Sequence, residues 1–230
     1  MELLNKDIRD ITKQKFEAEL FAPVTLHFFT QEPRILVTLS SMPGVECAFC
    51  RETRQLLEEV ASLSDKIKLA VYDFEADKAK AAELGVDKIP ATVVTGPKPA
   101  GVVFYGIPSG YEYASLVEAI VDASKGAASL APETKEALRT LEKDVRIQVF
   151  VTPTCPYCTV AVRLGHRFAL ESPRVRAEMV EATEFPHLAQ RYNVFGVPKT
   201  VFNETVTVDG AVPENVFLAR LLEAAGAAKA

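Results

Sequence analysis

Residues 152–160 read TPTCPYCTV, two cysteines three positions apart with a proline and a tyrosine between them. Such a pair serves as a structural disulfide, half of a metal site or a reactive dithiol. Its surroundings narrow the choice. Upstream lies the β-branched run VRIQVFV, and downstream Leu164 and Phe168 recur at helical spacing. The pair therefore falls between the end of a strand and the first turn of a helix.

The motif occurs twice. Cys47 and Cys50, in ECAFCRE, precede Cys155 and Cys158 by the same 108 positions (155 − 47 and 158 − 50). That offset also carries Pro90 of VDKIPATVV onto Pro198 of VFGVPKTVF, Val86 onto Val194, Thr92 onto Thr200 and Val93 onto Val201. Leu56 and Val60 land on Leu164 and Phe168, so the apolar stripe after each pair is in phase. A full set of matches in one register reads as an internal duplication.

Each half predicts the same element order. The first opens with an amphipathic helix bearing Leu4, Ile8 and Ile11 on one face, followed by two β-rich runs, VTLHFF and ILVTL. CAFC then leads into a helix whose apolar face is Leu56, Leu57, Val60 and Leu63. IKLAVYDF reads as a buried strand, and a short helix from Ala76 ends at Gly85. ATVV and VVFYGI, split by the turn residues GPKP, form a hairpin, and a helix through Val117, Ile120 and Val121 closes the unit. The second half runs through a helix from Glu133, VRIQVFV, CPYC and its helix, RVRAEMV, a short helix, TVF, TVTV and a helix through Phe217 and Leu221. This alternation predicts an α/β fold of two tandem units, 1–125 and 126–230, each with its own core and a mixed central sheet flanked by helices. The small, polar stretch KGAASLAPE sets the boundary. The segment at 24–41 adds β residues before the first pair with no counterpart before the second.

Composition limits the setting. The chain has 230 residues, 48% of them apolar and 25% charged, as in an ordinary globular protein. A net charge of −5 argues against nucleic acid and anionic membranes as partners. The charged N-terminus MELLNKDIRDITKQKFEAEL lacks the apolar core of a secretory signal, and no run is apolar enough to span a bilayer, so a cytoplasmic location is expected. In that reducing compartment paired cysteines more often bind metal or do redox chemistry than staple a fold. Sparse Asn and Gln agree with a heat-adapted source.

Placement at a helix start favours redox chemistry. The nucleophile of disulfide exchange is the thiolate, and a free cysteine has a pKa of about 8.5. Lowering it to about 7 requires roughly 2 kcal/mol of thiolate stabilisation, to which a helix dipole and unpaired N–H groups contribute. Cys47 and Cys155 are therefore the expected nucleophiles. Cys50 and Cys158, one turn on and deeper, are expected to resolve the mixed disulfide. Pro156 suits a first helical turn. Glu46 beside Cys47 disfavours its thiolate, partly offset by Arg51, whereas CPYC has no adjacent acid, so Cys155 is expected to be the more acidic thiol. Pro90 and Pro198, each after a β-branched residue, mark strand starts or cis bonds. The tyrosines and phenylalanines read as core, except that Phe49 and Tyr157 lie inside the motifs, where they can reach a substrate.

CxxC at a helix start, followed by an Ile/Val-Pro-x-Thr strand opening, resembles the thioredoxin fold, and CPYC is similar to the glutaredoxin-type site. The tandem arrangement over the whole chain, with YGIPSGYE and GVPKTVF, resembles the protein disulfide oxidoreductases of thermophilic bacteria and archaea. LLEEVASLSDKI is similar to the N-terminal region of bacterial flavoprotein peroxiredoxin reductases, in which the first unit lacks its cysteine pair. The resemblance implies that Pro90 and Pro198 are cis and face the sulfurs, and that the backbone of Ile89 and Val197 pairs with an extended substrate segment. It also implies disulfide or dithiol protein substrates and a thioredoxin-reductase-like flavoprotein as electron donor, without a cofactor bound to this chain. Two departures stand out. RIQVFVT holds no carboxylate to relay a proton, with Gln148 its only polar interior candidate, and the spacers AF and PY differ from thioredoxin's usual GP.

Three other readings compete. Structural zinc would need knuckles about 15–20 residues apart or added ligands; here the pairs lie in different halves, and His27, His166 and His187 share no register. The histidines read as surface or packing residues. A static disulfide across so short a loop restrains the unfolded chain little. A dedicated dithiol electron carrier to a peroxiredoxin would use identical chemistry on a narrower partner.

Overall fold

A computed structural model describes residues 3–31, 47–98 and 101–226. The eight described strands form one sheet in the order β2-β1-β3-β4-β6-β5-β7-β8. In the N-terminal half β1 is Val24–Thr30, β2 Ile67–Asp73, β3 Ala91–Thr95 and β4 Gly101–Tyr105. In the C-terminal half β5 is Val145–Val151, β6 Val175–Glu181, β7 Lys199–Phe202 and β8 Val206–Asp209. Each half repeats one pattern, a parallel pair (β1 with β2, β5 with β6) extended by an antiparallel hairpin.

The halves join where β4 pairs in parallel with β6, Gly101 opposite Arg176 and Tyr105 opposite Val180. This junction is head to tail. The hairpin edge of the first half meets the parallel edge of the second, leaving β2 and β8 as outer edges. Such heterologous contacts leave equivalent surfaces in unequal surroundings.

Strand residues alternate between two apolar layers, as the period of two requires. Phe28, Val102, Phe104, Val149 and Met179 face one layer, which also takes in Leu57, Leu116, Phe168 and Phe217 from the helices. Phe29, Val103, Tyr105, Phe150 and Val180 face the other, with Ala81 and Phe185. Both layers run through both halves, so the expectation of separate cores is corrected. Pairing of β4 with β6 fuses them.

The helices are α1 Lys6–Glu19, α2 Cys50–Ala61, α3 Lys78–Glu83, α4 Glu112–Lys125, α5 Pro132–Arg139, α6 Cys158–Glu171, α7 Pro186–Arg191 and α8 Glu214–Ala224. Two details depart from the sequence reading. Helix α1 buries Thr12 and Phe16, while Ile8 and Ile11 are exposed. The large Phe16 ring sets the inward direction, and Ile11, five residues before it, points well away from it. Strand β2 forms at its expected place but, among the described strands, as an outer edge, with Val71 exposed rather than buried. The run ILVTL and Glu46 lie outside the described residues.

Candidate functional site

Both cysteine pairs are closed as disulfides, with Cα atoms 5.4 Å apart for Cys47–Cys50 and 5.5 Å apart for Cys155–Cys158. Each second cysteine is the first residue of a helix, α2 or α6. Cys158 is fully buried and Cys50 nearly so, while Cys155 is 9% exposed and Cys47 half-buried. The chain turns into α6 through Cys155 N–H donating to Thr152 O at 3.2 Å and Cys158 N–H to Cys155 O at 3.4 Å. In each pair the first cysteine is the more accessible of the two and the second opens the helix. No group of acids, histidines and cysteines suited to a metal ion occurs among the described residues.

The Ile89-Pro90 and Val197-Pro198 bonds are both cis. Cys155 Sγ lies 3.7 Å from Val197 O, so the segment before Pro198 faces the second pair directly. Each proline's carbonyl is held from the neighbouring strand: Gly106 N–H donates to Pro90 O at 3.0 Å and Gly210 N–H to Pro198 O at 2.8 Å. A cavity of about 440 Å³ opens beside Val197 and Pro198, lined also by Asn193, Phe195, Lys199 and Asp209. Its rim is apolar. Phe195 is 95% exposed and Tyr157 70%, and Val160 is also exposed. Phe195 carried no signal in the sequence reading, where aromatics outside the CxxC motifs counted as core.

The acid absent from the strand before CPYC enters from the other half. Tyr111 N–H donates to Pro153 O at 3.0 Å, and a Cβ at Gly110 (φ +60°) would strike that carbonyl. Farther along, Arg163 pairs with Glu118 and Arg167 with Asp122, each at 3.2 Å, so α4 and α6 run side by side in the same direction. The first turn of α4 thus abuts the first turn of α6. Glu112, in that turn, is 1% exposed, and neither carboxyl oxygen meets a partner in hydrogen-bonding geometry. Burial pushes its pKa up to about 7, opposed in part by the Ser115 hydroxyl. Gln148, the candidate within the strand itself, is buried between Glu178 and Val201 in the sheet. Glu112 lies in YGIPSGYE, a stretch visible in the sequence, but only the packing of α4 on α6 sets it beside the first turn of α6. A second raised carboxyl, Glu184, is also pushed up to about 7 by burial while accepting Ile107 N–H at 2.7 Å.

Two of the histidines are packing residues. His166, inside α6, is buried against Phe104, with Nε2 3.2 Å from Val103 O, and burial holds its pKa down at about 4. His27 bridges Tyr72 and Thr95.

Comparison with known proteins agrees with this geometry. The thioredoxin-domain family matches residues 145–223. The N-terminal domain region (NTD_N/C) of the alkylhydroperoxide reductase AhpF from Enterococcus faecalis superposes with a TM-score of 0.81 at 28% identity, over 95% of this chain and 99% of that one. The alkyl hydroperoxide reductase AhpF of Xanthomonas campestris pv. phaseoli is 25% identical over 177 residues, 76% of this chain and 32% of that protein. The chain thus spans about a third of the length of the curated relatives it matches. A protein disulfide oxidoreductase from Aeropyrum pernix superposes with a TM-score of 0.86 at 32% identity, over 98% of this chain and 96% of that one. With two CxxC disulfides at helix starts and near-complete coverage at that identity, the chain belongs to the protein disulfide oxidoreductases.

Proposed function

We propose that the chain, as two tandem units divided near residue 125, reduces, forms or isomerises disulfides of protein substrates in the cytoplasm, through Cys47/Cys50 and Cys155/Cys158. The observation that carries this reading is the second site, where Cys155 keeps 9% exposure ahead of the fully buried Cys158 and the Val197 carbonyl lies 3.7 Å from Cys155 Sγ. In reduction, the Cys155 thiolate attacks a substrate disulfide, forming a mixed disulfide and releasing one substrate thiolate. The Cys158 thiolate then attacks Cys155 Sγ, closing the intramolecular disulfide and releasing the second substrate thiolate. Two electrons pass to the substrate, and a thioredoxin-reductase-like flavoprotein restores them. The reverse sequence installs a disulfide.

Substrate binds as an extended segment along the backbone of Val197 and Pro198, its side chains entering the adjoining cavity against Phe195 and Tyr157. Ile89 and Pro90 serve the first site in the same way. Glu112 accepts the Cys158 proton as the resolving step begins; its raised pKa suits transfer near neutrality. The scarcity of amide side chains fits a thermophilic source.

The test is trapping. Cys158→Ser, mixed with a disulfide protein such as insulin, should accumulate a covalent complex that Cys155→Ser does not form. Failure of both variants to differ from the native chain in dithiothreitol-driven insulin reduction would overturn the reading. A second reading, delivery of electrons to a peroxiredoxin, is favoured by the similarity to the alkyl hydroperoxide reductase AhpF. Turnover with a peroxiredoxin but not with insulin would select it.

A further inference from the structure

The segment leading into Pro90 is held by side chains from the other half of the molecule. Arg176 Nη1 donates to Leu84 O at 3.0 Å, and its Nη2 to Gly85 O at 2.7 Å and Tyr105 Oη at 3.3 Å. Arg146 Nη2 donates to Asp87 Oδ2 at 3.0 Å. Both guanidinium groups converge on Glu178, whose side chain is fully buried: Arg146 Nε is 3.0 Å and Arg176 Nε 2.7 Å from Oε1. Lys88, next to Ile89, pairs with Asp87 and lies over the Tyr105 ring, 3.5 Å from its centroid. Together these contacts fasten residues 84–88 to β5 and β6.

Among the described residues, the equivalent segment of the second half has no such clamp from across the molecule. Lys199 Nζ reaches Asn193 O at 3.4 Å, but from within the same half. The duplication places Phe195 at the position of Asp87 and Gly196 at that of Lys88 (195 − 87 and 196 − 88 give the same 108). Phe195 is almost wholly exposed, and a Cβ at Gly196 would meet nothing within 4 Å. The local backbone is otherwise alike, with Gly85 and Asn193 both in the left-handed region at φ +63° and +51°. The difference follows from the head-to-tail junction: β5 and β6 flank the first half, and among the described residues no further strand lies beyond β8.

We propose that Arg146 and Arg176 are positioning residues for the CAFC site, holding Leu84–Lys88 and thereby the Ile89 and Pro90 backbone at one distance from Cys47, while the equivalent segment of the CPYC site is free to adapt. This rests on the reading of Ile89 and Pro90 as substrate-binding residues. One half of the chain therefore sets how the other recognises substrate, and the CAFC site takes a narrower range of substrate segments than the CPYC site. A buried ion-pair network suits this role because it specifies one arrangement rather than adding much stability.

The experiment uses the full chain in two backgrounds, CAFC-only (Cys155→Ser with Cys158→Ser) and CPYC-only (Cys47→Ser with Cys50→Ser). Into each are introduced Asp87→Asn, Arg146→Gln and Arg146→Lys. In CAFC-only, Asp87→Asn and Arg146→Gln should raise KM for a disulfide peptide about tenfold with kcat little changed, and Arg146→Lys should recover most of that loss. CPYC-only kinetics should not move. Hydrogen exchange is the second readout. The Gly106 amide, bonded to Pro90 O, should exchange about tenfold faster in Asp87→Asn, while the Gly210 amide, bonded to Pro198 O, should not change. Asp87→Asn leaves Glu178 with both guanidinium groups and carries the test alone if Arg146→Gln does not fold. Unchanged exchange at Gly106, or equal changes in both backgrounds, would overturn the clamp. Faster exchange at Gly106 with unchanged KM would keep the clamp but overturn the substrate-binding role of Ile89 and Pro90.

Discussion

The two dithiol sites are built from the same elements and differ in what surrounds them. The segment leading into Pro90, assigned to the CAFC site, lies at the internal seam, where β4 meets β6, and is fastened by Arg146 and Arg176. The CPYC site belongs to the half that ends the described sheet at β8; a cavity lined by Phe195 opens beside Val197 and Pro198, and Tyr157 and Val160 are exposed. It also receives Glu112 from the first half's α4, packed against the helix that begins at Cys158. The CxxC pairs and prolines recur at one offset, and head-to-tail packing sets the two halves in unequal surroundings. Each half reaches into the other: Arg146 and Arg176 of the second hold residues 84–87 of the first, and Glu112 of the first is buried beside the start of α6 in the second.

The largest test of this contrast removes each nucleophile in turn. Cys155→Ser and Cys47→Ser should each abolish exchange at their own site, and the residual rate through the other should differ between a compact apolar peptide and a charged one. Equal residual rates on both peptides would break the contrast.

Next comes the seam. Glu178→Gln leaves Arg146 and Arg176 close together with no buried counter-charge, and should destabilise the chain by about 3–5 kcal/mol in chemical denaturation. A change below about 1 kcal/mol would mean that the network does not hold the halves together.

Glu112→Gln should slow resolution of the CPYC mixed disulfide about a hundredfold at pH 7 while sparing the CAFC site. Its stability effect has a definite sign. A carboxyl whose folded pKa is about 7, raised from 4.5, favours the folded state fully below pH 4.5, and that contribution is lost as pH rises through about 7. Glu112→Gln should therefore match the native chain at about pH 4 and exceed it by about 3 kcal/mol above about pH 8, read from urea midpoints. Equal resolution rates would remove Glu112 from the mechanism.

Smaller is the effect of Phe195→Ala, which should raise KM for an apolar disulfide peptide about threefold to tenfold in CPYC-only protein and leave the melting temperature unchanged. Smallest is the acidity of the two nucleophiles. Thiolate absorbance should titrate at lower pH for Cys155 than for Cys47, by about one unit or less; the reverse order would show that Glu46 does not set the difference.

Much of this was legible in the residues. The two CxxC pairs, the two prolines at one offset and the period switching between about 2 and 3.6 predicted the element order of both halves, because these signals are local. The misreadings were tertiary. Ile8 and Ile11 scored as a buried stripe, yet the orientation of α1 is set by the large Phe16 ring. IKLAVYDF had the composition of an interior strand, yet it lies at an edge because the order of strands decides which are covered. Phe195 read as core, and nothing in the sequence singled out Glu112.

What the sequence alone determined is the chemistry and its repetition: cysteine spacing, placement at helix starts and the proline opposite are all written within short windows or at one constant offset. What only the tertiary structure decided is inequality. Which strand edges meet, which carboxyl is stripped of water and which segment is pinned by distant guanidinium groups depend on contacts between residues far apart in the chain. Desolvation and charge pairing act through space, and a repeat read along the chain carries no record of which copy sits at the seam.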